Sequence, residues 1–167
     1  TLFVEGERIT EMLGGGTMGM MGEQAQSEAG TKLIDAAGKY VMPGLIDAHF
    51  HLGTPTHAYA GALTDPEYVL KLQLAHGVTT VRDVGAMMGL EWTLEHKERS
   101  ARGLIAAPRM VVFSMFPEQH ASEEAARKWV RAVRKKGADG IKFIGAAPEL
   151  TAAAIDEAKK LGMKTTM

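Results

Sequence analysis

The stretch Met42 to Gly53, MPGLIDAHFHLG, decides how the rest of the chain is read. A short apolar run from Gly44 to Ala48 closes on two histidines, His49 and His51, with Phe50 between them. Apolar runs of this length build cores, and histidine is an uncommon residue to close one. Side chains alternate faces along a strand. That alternation puts Asp47, His49 and His51 on one face and Ile46, Ala48 and Phe50 on the other, where they would pack on helices. Two imidazoles at i and i+2 can reach one metal ion, and neutral imidazole suits zinc and related divalent ions. In α/β folds, sites gather at the carboxyl ends of strands, and this pair sits where its strand ends. A chance H-x-H is the bland alternative. The strand end, and the acid in register before it, favour the ligand.

Downstream, helices and strands alternate. Asp65-Pro66 places a capping acid before a proline at the first helical position. That helix runs to LAHG, with Gly77 suited to close it in the left-handed region. VTTVRDV is β-branched and strand-like. LEWTLEHKERSARG follows as a helix closed by Gly103, and PRMVVFSMF as a strand. SEEAARKWVRAVRKKG carries the clearest helical pattern. Ser122 caps it, acids fill the first turn and bases the last, and Ala126, Trp129, Val130 and Val133 form one stripe. ADGIKFI reads as a strand, Thr151 to Gly162 as a helix, and MKTTM as one more strand. Units recurring every roughly 25 to 35 residues suit a parallel sheet. The fold class expected is α/β: the first half of a (β/α)8 TIM-type barrel, with an open doubly wound sheet as the alternative. A full barrel takes about 250 residues, so residues 41–167 would hold five strands and four helices of one.

Residues 1–40 differ. LFVEGERITEML reads as two short strands around a turn at Gly6-Glu7, and TKLIDAAGKYVM as a return to strand, together part of a small β-layer. Between them Gly14, Gly16 and Gly19 satisfy G-x-G-x-x-G, with Asp35 downstream. A dinucleotide fingerprint needs a buried parallel strand before the glycines and a helix after them. VEGERITE alternates with charge instead, as a half-exposed antiparallel strand does. Nucleotide binding is not expected.

Composition narrows the function classes. The 167 residues carry 19 lysines and arginines against 20 acids. A near-zero balance without charge blocks gives no support to nucleic-acid or membrane-surface binding. The absence of cysteine excludes disulfides and thiolate metal sites. No apolar run approaches the roughly 20 residues of a membrane span. No leader peptide is visible, and a cytoplasmic location is favoured. Thr1 is not an initiator methionine, which leaves room for a segment upstream.

VMPGLIDAHFHLG resembles the first barrel strand of the metal-dependent amidohydrolase superfamily. LIDAAGKYVMPGLID resembles the passage from its small β-sandwich into the barrel. GVTTVRDVG is similar to the second strand in the branch of imidazolonepropionases and Xaa-Pro dipeptidases, and KKGADGIKFI to that branch's fourth strand. The resemblance implies that His49 and His51 hold the more buried metal. It implies that Lys142 is carboxylated by CO2 and bridges two ions, most often zinc. Without it, Lys142 reads as a lysine snorkelling from a strand end. It implies a hydrolase of amide-type C–N bonds, in cyclic amides or proline-containing dipeptides, in which one or two divalent ions activate water. The family's remaining ligands are histidines after the fifth and sixth strands and an aspartate after the eighth, and none has a match before Met167. No catalytic residue is therefore assigned. The chain by itself is expected to be inactive and marginally folded, and a non-catalytic half-barrel is the competing expectation. The partner expected is a small-molecule substrate, and a homo-oligomer is compatible.

Four further candidates remain open. Asp47 would orient a histidine or cap the strand end. Asp83 would support a metal ligand or, preferably, pair with Arg82. His57 and His120 fall in loops above the strand ends, where they would touch substrate or face solvent.

Overall fold

A computed structural model of the chain describes residues 2–12, 30–53 and 65–167. The chain divides into two compact units, Thr1–Met42 and Pro43–Met167. In the first, β1 (Leu2–Glu5) and β2 (Arg8–Met12) form an antiparallel ribbon. Gly6 takes the positive φ the turn demands, +59°. The strand expected over TKLIDAAGKYVM is absent: residues 31–44 are irregular. Asp35 accepts a hydrogen bond from the Ala37 amide at 2.8 Å, an Asx turn that bends the chain where a strand would run straight.

Among the described residues of the second unit, strands and helices alternate. Its elements are β3 (Leu45–Phe50), α1 (Pro66–Ala75), β4 (Val78–Gly85), α2 (Leu90–Ala101), β5 (Arg109–Met115), α3 (Glu123–Lys136), β6 (Gly140–Lys142), α4 (Pro148–Lys160) and β7 (Lys164–Thr166). The five strands are parallel in the order β3-β4-β5-β6-β7. Each strand pairs with the next in sequence, so the order never reverses. A doubly wound sheet reverses at its switch point. Crossovers of one hand stepping in one direction put every helix on the same face and curl the sheet toward a barrel. The architecture is a half-barrel.

Local chemistry sets the helix ends. The Asp65 carboxylate accepts from the Glu67 amide at 2.9 Å. Ser122 Oγ accepts from the Ala125 amide at 3.2 Å, and Gly137 closes α3 in the left-handed region at φ +109°. α4 begins at Pro148, not at Thr151. Proline at the first helical position lacks an amide the helix would leave unpaired anyway, so it starts the helix a turn earlier than the threonine suggests. Phe50, Val81, Val112 and Ile141 from the strands meet Leu70, Leu90, Val130, Val133 and Ala158 from the helices in one core. β6 is shorter than ADGIKFI suggested, although Asp139 and Phe143 on its flanks still make backbone hydrogen bonds to the neighbouring strands. Asp139 turns its carboxylate to the Val112 amide at 2.7 Å and to Lys97 Nζ at 2.6 Å.

Candidate metal centre

The site begins with Phe50, which lies in the core against the helices at 6% exposure. His49 and His51 flank it and stand on the opposite, inner face. Their ring centroids are 5.1 Å apart, with the planes inclined at 71°. Ile141 also faces the helices, so its neighbour Lys142 takes the inner face at the carboxyl end of β6. Lys142 and His51 are not on neighbouring strands, as two strands separate them. Both residues lie at the carboxyl ends of their strands, and the Lys142 charge is a lesser contributor, behind burial, to the lowered His51 pKa.

β3 departs from the alternation expected of it. Asp47 pairs with Val81 and Phe50 with Asp83, two residues apart on β4 and three apart on β3. One extra residue is a β-bulge, a device that re-aims side chains beside sites. Asp47 therefore shares a face with Phe50 rather than with the histidines. Ile46, paired with Thr80, stands on the other face at 68% exposure and does not pack on helices. Asp47 makes its hydrogen bond to backbone at the strand end and not to an imidazole ring. Its Oδ1 accepts from the His49 backbone amide at 3.1 Å, which fastens the bulge.

The expected Arg82–Asp83 ion pair does not form; adjacent residues on a strand point to opposite faces. Arg82 Nε donates to the Ala48 carbonyl at 2.7 Å, and its guanidinium lies 5.3 Å from the centroid of the Phe113 ring. Asp83 is fully buried and accepts from the amides of Leu52 and Ala86, each at 3.0 Å. Burial raises its carboxyl pKa against the pull of those two donors. The Leu52 contact spans 31 positions, and no local pattern in the sequence announces it.

His120 is half-buried. Its ring lies 4.8 Å from that of Phe116 and 6.0 Å from that of Trp129, centroid to centroid, in a separate aromatic cluster. His57 and the Gly14, Gly16, Gly19 motif lie outside the described residues. The strand before that motif, β2, is antiparallel, which removes the fingerprint's first requirement.

The residues present fit a divalent ion in part. Burial pushes the His51 imidazole below its ordinary pKa. Asp83 and Asp47 oppose this, and the charges of His49 and Lys142 reinforce it. A histidine kept neutral is the form that binds metal. The Nδ1 of His51 is buried and finds no hydrogen-bond partner among the described residues. Among the described residues, however, no three histidine, aspartate or glutamate side chains converge as a complete ligand set. An apolar hollow of about 420 Å³ lies at the same end of the sheet, lined by Phe143, Ile144, Pro148, Ile155 and Met167 among others.

Comparison with known proteins places the chain in a family. An adenine deaminase from Geobacillus kaustophilus is 33% identical over 78 residues, which is 42% of this chain and 12% of that enzyme. A dihydroorotase from Leifsonia xyli subsp. xyli is 33% identical over 119 residues, 54% of this chain and 27% of that enzyme. Among solved structures, a candidate prolidase from Bifidobacterium longum superposes with a TM-score of 0.55 at 28% identity, over 74% of this chain and 34% of that one. The chain thus spans about a third or less of each of these relatives. The model of the Amidohydrolase family matches residues 40–167, from the approach to β3 through the end of β7. The chain belongs to the amidohydrolase family.

Proposed function

We propose that the full protein is a metal-dependent hydrolase of amide-type C–N bonds, acting on cyclic amides or proline-containing dipeptides. One observation carries the reading: His49 and His51 stand ring to ring at a strand's carboxyl end, with a buried nitrogen on His51 that has no partner among the described residues. His49 and His51 would hold a divalent ion, most suitably zinc given imidazole donors. Such an ion supplies Lewis acidity and lowers the pKa of a water molecule beside a polarised carbonyl. Lys142 would join as its carbamate, since an ammonium repels a cation and a carbamate offers two anionic oxygens. Its place on the inner face, acting on His51, supports that role. Asp47 holds the His49 amide and so fixes the bulge from which the pair projects. The prolidase relative supports proline-containing dipeptides, and the dihydroorotase relative supports cyclic substrates.

A second reading, a half-barrel without chemistry of its own, has one observation in its favour. Two imidazoles fall short of the about three protein ligands of a catalytic zinc. Metal analysis of the full-length protein, with assays on a panel of Xaa-Pro dipeptides and cyclic amides, separates the two. The hydrolase reading expects one or two bound ions and turnover lost in His49→Ala and His51→Ala. A full-length protein that takes up no metal and cleaves none of the panel sinks it.

A further inference from the structure

Asp83 is a fully buried carboxylate, and no cation pairs with it among the described residues. Burying an unpaired carboxylate is costly, and proteins retain one only where its hydrogen bonds are all made and matter. Both oxygens of Asp83 are committed to backbone amides. Oδ2 accepts from Leu52, the residue that directly follows His51. The amide of Leu52 lies in the peptide plane that contains the His51 carbonyl, so holding that nitrogen fixes the plane on which the His51 side chain hangs. Oδ1 accepts from Ala86, which sits at φ +46°, the one non-glycine residue with positive φ among the described residues. Such a conformation persists only where its surroundings hold it. One carboxylate therefore ties the end of β3 to the exit of β4. The Leu52 side chain, fully buried, anchors the same point from the core.

We propose that Asp83 is the positioning residue of the metal pair: through the Leu52 amide it fixes the backbone behind His51 and so sets the affinity of His49 and His51 for a divalent ion. This rests on the reading of the two histidines as ligands. Arg82 cannot substitute, since it bonds the carbonyl of Ala48 from the other face. Asp47 cannot either, since it holds the peptide on the far side of His49.

Cobalt(II) is the probe, because its visible d–d bands report histidine ligation without any assay of activity. Full-length wild type, Asp83→Asn and Asp83→Ala are titrated with cobalt(II), and amide hydrogen exchange is followed in each. Asparagine keeps one acceptor and sets an NH2 against the second amide; alanine removes both acceptors. Groups that orient metal ligands are worth about 10- to 100-fold in metal affinity. Cobalt affinity is expected to fall by about 10-fold in Asp83→Asn and about 100-fold in Asp83→Ala. Exchange should quicken at Leu52 and Ala86 and hold steady at Val81 and Val112. Should Asp83→Ala fail to fold, Asp83→Asn decides. Variants that bind cobalt as tightly as wild type overturn the positioning role and leave the histidine pair intact. A fall in affinity matched by faster exchange across all of β4 and β5 also overturns it, since Asp83 would then only support the fold. A wild type that binds no cobalt overturns the ligand reading itself, and this inference with it.

Discussion

Arg82 and Asp83, adjacent on β4, grip the same segment of β3 from opposite faces. Arg82 bonds the carbonyl of Ala48, just before His49, and Asp83 bonds the amide of Leu52, just after His51. The two histidines therefore project from a backbone held at both ends by one dipeptide of the neighbouring strand.

Arg82→Ala should lower stability by about 2 kcal/mol, the sum of a charged hydrogen bond to a carbonyl and a partly exposed cation–π contact. Arg82→Lys should recover only part of this, since an ammonium lacks the directed Nε–H. Urea midpoints of the three proteins test the ranking. An alanine variant as stable as wild type would show that the contact with Ala48 contributes nothing.

Much of this was legible in the sequence, and the gaps have causes. Helix starts at Asp65 and Ser122 and the stripe on α3 are local signals, and they were read directly. The bulge in β3 was not, because it arises from a mismatch in register between two strands. Arg82 and Asp83 looked like a pair because they are adjacent, yet adjacency on a strand is what separates them. The strand over residues 31–42 failed for a related reason: a strand needs a partner as well as a pattern, and Asp35 gave the chain a turn instead.

Asp139 offers a test of which of two bonds matters. It pairs with Lys97, both side chains being about a third exposed, and it accepts from the Val112 amide. Ion pairs at the surface contribute about 0–1 kcal/mol. A backbone amide left unsatisfied costs about 1–3 kcal/mol. Asp139→Ala should therefore be clearly destabilising and Lys97→Met nearly neutral in thermal unfolding. Equal losses in the two variants would place the energy in the ion pair instead.

Gly140 has no room for a methyl group. A Cβ there would lie 2.6 Å from the Lys164 carbonyl oxygen and 2.6 Å from the Phe113 ring. The ring has some freedom to turn, but the carbonyl belongs to the β6–β7 ladder and cannot yield. Gly140→Ala should cost about 1–3 kcal/mol, the usual range for overpacking. Denaturant titration checks this, and an unchanged midpoint would mean that β7 moves aside freely.

If His49 and His51 bind metal in the folded state alone, zinc must stabilise the full-length protein by mass action. The gain is about 2.7 kcal/mol at a free concentration 100 times the dissociation constant. Melting curves with and without zinc should separate in wild type and coincide in His49→Ala and His51→Ala. EDTA should return loaded wild type to the metal-free curve. A zinc-dependent shift that survives both substitutions would assign the ion to other residues.

The 167-residue chain expressed by itself should self-associate. Among the described residues β3 and β7 each have one neighbour in the sheet, so each presents a row of backbone groups without a strand partner there. Parallel sheets are normally covered on both faces, yet Ile46 and Leu45 at the β3 edge are exposed. An apolar open edge is a template for pairing with another chain. A parallel edge can pair in register with a copy, β7 of one molecule beside β3 of the next. Size-exclusion chromatography with light scattering should show species heavier than the 18.0 kDa monomer, growing with concentration. Ile46→Lys should reduce that association, because a charge at the edge is the device natural sheets use against it. A monodisperse monomer at every concentration would show that the exposed edges are protected by some other means.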